Sequence, residues 1–262
     1  MRRYAQLFWI QVRASLLLAM QYRYDFFLDG LISALAVFPI VLPVFVVFHG
    51  REQIAGWTFP EALLVTGWFV TLDAIIDGAI SPSLTAVVDH IREGTLDFVL
   101  LKPADAQFLV STARFQPWRV THLAAALVIF ATAFARMGRW PSLGGVVTAL
   151  LLLAVAVALL YSMWILTVSA AFYVVKVDNL TYLFGSIFDA ARWPASVFRG
   201  FVRILFTFVI PLALMTTYPA EALLGRLTAG KLALSLGSAL LFAVVARLIW
   251  LRSIARYTSA SS

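Results

Sequence analysis

The sequence predicts an all-α, polytopic membrane protein with six transmembrane helices, an N-terminal interfacial helix and a charged segment in water between the second and third spans. Three observations predict it. Hydrophobic residues make up 62% of the 262 and charged residues only 13%, with a mean hydropathy of +0.93, whereas a soluble globular domain carries roughly 25% charged residues. The apolar residues are grouped in blocks that suit helical spans of about 20 residues. The Lys and Arg residues gather at the edges of those blocks and on one side of the resulting topology. A chain of this length is filled by a single membrane domain over 1–262, with an interfacial helix over 4–25, spans one and two with their connector over 26–119, and spans three to six over 120–262.

Residues 4–25 mix Leu7, Phe8, Ile10 and Leu16 to Leu18 with Gln11, Arg13, Gln21 and Arg23. That is too polar for a span and suits a helix lying among headgroups. The apolar run Ala14 to Met20 is short and no small-residue cleavage pattern follows, so no cleaved signal peptide is expected. Span one runs from Phe26 to Phe48 and is kinked by Pro39 and Pro43. Span two starts with Pro60 and Glu61 in its first turn, runs to Ile80 and carries Asp73 and Asp77 on one side. Ser81 to Arg119 is the longest interior segment outside the membrane.

Span three covers Val120 to Met137, and the turn Gly138-Arg139-Trp140-Pro141-Ser142 makes it an antiparallel pair with span four. Leu143 to Val175 is longer than one bilayer requires, so span four tilts or projects into water. Lys176 to Gly200, interrupted by Asp178, Asp189, Arg192, Pro194 and Arg199, reads as a broken interfacial helix leading to span five, Phe201 to Met215. A short helical excursion within Thr216 to Lys231 precedes span six, Leu232 to Leu251, and a basic, serine-rich tail.

Counting Lys and Arg with the N-terminus inside leaves Arg51, Arg136, Arg139, Arg226 and Lys231 outside and the other 15 of the 20 inside. This bias orients both termini and the connector toward the cytosol. It also accounts for the net charge of +7 and the pI of about 10.0 without nucleic acid. With no cysteine in the chain, disulfides and thiolate metal sites are excluded.

Gly225-Arg226-Leu227-Thr228-Ala229-Gly230-Lys231 follows the phosphate-loop pattern until Leu232 replaces the required Ser or Thr, and no strand precedes it. Gly225 and Gly230 read instead as helix caps. His49, His90 and His122 have no ligand spacing and read as ordinary residues, and no hydrolase or zinc-protease motif is present. Asp73 and Asp77, at i and i+4, cost roughly 2.5 to 3.5 kcal/mol each at mid-bilayer. They therefore line a transport path, meet another subunit, or lie near the cytosolic end of the span.

The connector holds the segment that stands out most. Arg92-Glu93-Gly94-Thr95-Leu96-Asp97-Phe98-Val99-Leu100-Leu101-Lys102-Pro103 is charged, broken by glycine and ended by proline, with one wet and one greasy face suited to docking a partner. Glu93-Gly94-Thr95-Leu96 with the Leu100-Leu101-Lys102-Pro103 ending resembles the cytosolic connector of type-2 ATP-binding-cassette (ABC) exporter permeases, in the branch without a large exterior domain. The resemblance implies a permease driven by separate cytosolic ATPase subunits that hold the ATP and magnesium, with no cofactor on this chain. It also implies a second permease as partner, lipid around both, and Arg92, Glu93, Gly94, Thr95, Leu96 and Pro103 as the coupling segment. Two other classes remain open on the residues alone: a lipid-modifying enzyme using Asp73, Asp77 and Asp29, and an ion-coupled secondary transporter using the same buried acids.

Overall fold

The computed structural model describes residues 2–21, 23–173 and 185–257. The expectations for Val175, Lys176, Asp178 and the final serines lie outside the described residues. Among the described residues five helices are long and apolar enough to cross a membrane, and a bent helical pair supplies a sixth candidate. The protein is an all-α polytopic membrane protein.

Helix α1 (Arg2–Gln21) is followed by α2 (Arg23–Ala36) and α3 (Phe38–Phe48), which together form span one. The break between them falls at Val37, because Pro39 has no N–H to offer the preceding turn. A two-strand hairpin, β1 (Gln53–Ile54) and β2 (Trp57–Thr58), turns through Ala55 and Gly56, both at positive φ, as a tight two-residue hairpin requires.

Helix α4 (Phe59–Ile75) opens on a capping box in which Thr58 and Glu61 satisfy each other's backbone N–H. Every residue from Glu61 to Leu72 is buried, so α4 is apolar all round and occupies the centre of the bundle. Its hydroxyls turn inward on the helix itself, with Thr66 donating to the Ala62 carbonyl and Thr71 to that of Gly67.

A π-turn over Ile76–Ile80 joins α4 to α5 (Ser81–Arg92), giving one helical run of 34 residues from Phe59 to Arg92. Pro82 explains the irregularity. It has no N–H for the Gly78 carbonyl, and that carbonyl instead accepts the Gln116 N–H at 2.8 Å. The run is about 51 Å long, so about 20 Å of it extends past a hydrocarbon layer about 30 Å thick. The expected limit of span two at Ile80 is therefore a change of helix type and not an end: the first part of the connector is more helix.

The connector continues through α6 (Asp97–Leu100) and α7 (Ala106–Ser111) to α8 (Val120–Met137). Gly138, at φ 65°, ends α8, and Ser142 caps α9 (Leu143–Ser169) through the Gly145 N–H. Helices α4 and α8 approach closely at Gly67, where an added Cβ would lie 2.8 Å from the Phe130 ring.

The second half refines two expectations. Residues 188–197 form two short 3-10 turns and not one broken helix. Phe188 is buried and stacks on Phe69 of the central helix with ring centroids 5.1 Å apart, while Ser196 accepts the Trp57 indole N–H at 3.0 Å. The 3-10 turns Asp189–Arg192 and Ala195–Val197 thus run beside α4 toward the hairpin, with Ala191 and Pro194 buried and Asp189 and Val197 exposed. Span five is likewise not a straight Phe201–Met215 helix. Helix α10 (Gly200–Ile204) and a π-turn to Val209 meet a second arm, Ala213–Leu223, at an angle of 72°. Pro211 sets the bend by holding Ile210 out of helical geometry at ψ 86°.

The second arm ends as α11 (Tyr218–Leu223), with Gly225 at φ 70° behind it, and α12 (Ala229–Ile254) closes the bundle. Gly225 is the cap expected of it. Gly230 is not: it lies in the first turn of α12, whose N-cap is Thr228.

The hairpin end is fastened by ion pairs. Buried Glu61 accepts from Arg226 at 2.5 Å and faces Arg139 at 3.6 Å, and Lys231 holds both oxygens of Glu221. These contacts tie the start of α4 to the α8–α9 turn and the α11–α12 loop. Replacing Gly67 with Ala should force Phe130 aside and cost about 1–3 kcal/mol, seen as a lower melting temperature in detergent. An unchanged transition would mean that the α4–α8 contact is looser than described.

Candidate functional site

Helix α5 ends in a Schellman motif. The Thr95 N–H bonds to the His90 carbonyl at 3.0 Å and the Gly94 N–H to that of Ile91 at 3.4 Å, with Gly94 at φ 68°. The Thr95 hydroxyl also meets His90 Nδ1 at 2.7 Å. This left-handed step swings the chain away from the α5 axis and into α6.

The turn sorts its apolar residues by direction. Leu96 is fully buried and anchors the segment, whereas Phe98 is 71% and Leu101 81% exposed. Arg92, Glu93, Lys102 and Pro103 are exposed around them. The structure thus gathers Arg92, Glu93, Gly94, Thr95 and Pro103 on one projecting turn and turns Leu96 inward. Phe98 and Leu101, outside the expected coupling set, are the large apolar side chains this turn exposes. The available signal was their i, i+3 spacing on the helix opposite Leu96.

Helix α1 lies along the far side of this connector. Tyr4 packs edge-on to Phe108 and accepts the Asp105 N–H, Phe8 packs on Phe115, the Thr112 hydroxyl donates to Gln11, and Ser15 accepts the Phe115 N–H. Positions 4, 8, 11 and 15 form one helical face. The opposite face exposes Trp9, Ile10, Leu17 and Met20.

Asp73 and Asp77 lie about 21 and 27 Å along the run from Phe59, near the connector end of the span. Each meets a base from the start of α8. Asp73 Oδ2 is 2.9 Å from His122 Nδ1, and Asp77 Oδ2 is 2.7 Å from Arg119. His122 is 1% exposed, and its other nitrogen lies 2.7 Å from the Ser33 carbonyl of α2. His122 thus joins three helices, α2 at Ser33, α4 at Asp73 and its own α8. Its spacing from Arg119, i and i+3 at a span start, complements the i, i+4 acids and was the signal for it.

Two cavities adjoin this cluster. One of about 800 Å³ lies between α1, α2, α5 and residues 113–119, and takes in Asp25, Asp29, Asp77, Asp89 and Arg119. A smaller one of about 280 Å³ is bounded by Asp73, Asp77, Trp164, Phe188 and Asp189. Among the described residues no group of three or more His, Asp or Glu side chains is arranged to hold a metal ion. In the phosphate-loop-like segment Lys231 is held by Glu221 and lies over the Tyr218 ring.

His122→Ala should leave the Asp73 carboxylate inside the bundle without its base, at a cost of about 3 kcal/mol. Thermal unfolding in detergent would register it, and adding Asp73→Asn should recover part of the loss by removing the stranded charge. Full stability in the single variant would contradict the three-helix clasp.

A protein-family model described as an ABC-2 family transporter protein matches residues 34–261, from within α2 into the tail. No curated protein and no solved structure matched the chain. The matched region includes the 34-residue run, the projecting connector turn and the Asp73–His122 clasp, and it agrees with the family expected from Glu93-Gly94-Thr95-Leu96. The chain belongs to the ABC-2 transporter family and is a membrane permease component of an ABC transporter.

Proposed function

We propose that this chain is the permease subunit of an ABC exporter, moving a substrate outward when separate cytosolic ATPase subunits close on ATP and magnesium. The reading includes a second permease, identical or similar, placement in the plasma (inner) membrane with both termini cytosolic, and an amphipathic substrate of drug-like, lipid or glycan type. Arg92 to Leu96 and Pro103 form the coupling segment.

The observation that carries this reading is the projecting turn. A chain that exposes Phe98 and Leu101 inside a frame of Arg92, Glu93 and Lys102, about 20 Å past the hydrocarbon on a helix continuous with a central span, has the shape of a docking knob. Its apolar centre and charged rim match the anatomy of a protein interface. The exposed apolar face of α1 supports its place in the headgroup layer. The partners already held by Asp73 and Asp77 favour a joint between helices over an ion-coupling or catalytic role for those acids.

Co-purification with the ATPase encoded beside this chain tests the reading. Phe98→Ala or Leu101→Ala should weaken the association by about 2 kcal/mol, roughly 30-fold in Kd. Reversing the charges with Arg92→Glu and Glu93→Arg should uncouple ATP hydrolysis from transport while membrane insertion is kept. Wild-type association and coupling in all of these variants would remove the basis for the docking knob. Leu96→Ala separates the roles: it should lower stability by about 2–5 kcal/mol, as a buried leucine does.

A further inference from the structure

The projecting turn connects to the membrane helices by two routes. The first is covalent, back along α5 into the central helix. The second is made of side chains on α7. Arg247, near the end of α12, grips Asp105 with both guanidinium nitrogens, at 2.5 and 3.3 Å, and donates to Gln107 at 2.7 Å. Gln107 is buried and uses its other end too, donating to the Tyr161 hydroxyl of α9 at 3.0 Å, and Tyr161 meets Ser111 at 2.7 Å. Asp105 also caps α7 through the Phe108 N–H at 3.0 Å. Arg247 thus fixes a cap, a buried amide and, through them, two spans on one short helix.

The chemistry suits a rigid bracket. A planar guanidinium that meets a carboxylate through two nitrogens fixes angle as well as distance, which an ammonium does not. The Arg247 guanidinium holds the Asp105 carboxyl below the usual carboxylate range. A carboxyl depressed in the folded state contributes stability above its ordinary value of 3.8 and loses it as pH falls through the lowered one, so the bracket is intact at neutral pH. The short α7 otherwise has few ways to pull on helices as long as α9 and α12.

We infer that Arg247 is a positioning residue that makes α9 and α12 follow the coupling turn, through a bracket with Asp105, Gln107 and Tyr161. The inference rests on the permease reading. In it, movement of the docked turn reaches the central helix along α5 and reaches the last span through Arg247, so the spans move together. Without the bracket the turn still docks and the central helix still receives the push, but α12 no longer follows.

The test uses the full chain in complex with its ATPase. Because the chain contains no cysteine, spin labels are placed through Leu127→Cys on α8 and Leu240→Cys on α12, both well exposed. Their separation is measured with and without a non-hydrolysable ATP analogue. The unaltered bracket should give a nucleotide-dependent shift, Arg247→Ala should lose it while the complex still assembles and binds the analogue, and Arg247→Lys should restore part of it. A merely structural role would lower the melting temperature and leave the shift per bound nucleotide unchanged. That outcome, or a full shift in Arg247→Ala, overturns the inference. Should Arg247→Ala not assemble, Tyr161→Phe cuts the α9 limb while keeping the ring; with the second label moved to Leu150→Cys, exposed on α9, a full shift there overturns it equally. Absence of any shift, or of any complex, in the labelled chain with its bracket intact counts against the permease reading itself.

Discussion

The central helix carries acids into and beside hydrocarbon, and each meets a base from a different element. Glu61 meets Arg226 and Arg139, Asp73 meets His122, and Asp77 meets Arg119. A carboxylate at these depths is costly without a partner, so the pairs determine which helices can lie against α4 and at what height. The hairpin end is closed by loops that bring arginines inward. The opposite end is closed by the first turn of α8, which brings both bases at once. Between them α4 is packed on apolar contacts, among them Gly67, where the missing side chain admits the Phe130 ring.

Much of this was legible in the chain because it is local. Block length and charge asymmetry locate the spans, Pro60 and Glu61 mark the start of α4, Gly225 marks the end of α11, and Gly94 with Pro103 brackets the connector. What was not legible depends on partners far apart in sequence. Asp73 and His122 are 49 residues apart, and Glu61 and Arg226 are 165 apart; hydropathy carries no record of either pairing. Residues 188–197 read from composition as a polar, broken stretch; that Phe188 stacks on Phe69 and Ser196 meets Trp57 are pairings across more than 100 residues that composition does not carry. In the connector the composition was plain and the direction was not: Leu96 and Leu101 are equal in hydropathy and point opposite ways.

Proline does more here than interrupt helices. Pro82 frees the Gly78 carbonyl, and the Gln116 N–H takes it up, so a lost bond inside one helical run becomes a bond between the π-turn and the segment that leads into α8. Pro39 divides span one without ending it. Pro211 turns one expected span into two arms that meet around a cavity of about 280 Å³ shared with Trp57, Ser196 and Lys231. The backbone thereby stays satisfied where water is scarce, while the bundle gains bends that straight helices would lack.

The 34-residue run also has a mechanical meaning. Taken as a rod pivoting at Gly67, where it meets the Phe130 ring closely, it has one arm of about 12 Å reaching back to Phe59 and another of about 40 Å reaching to Gly94. These proportions make it an unequal lever with an advantage of about three. Under the proposed coupling, a sideways stroke of about 6 Å at the turn after α5 would become about 2 Å at the Glu61 end, with the force multiplied by the same ratio. Long travel would then be traded for short, forceful travel at the ion pairs that close the hairpin end, where small displacements suffice to part a guanidinium from a carboxylate.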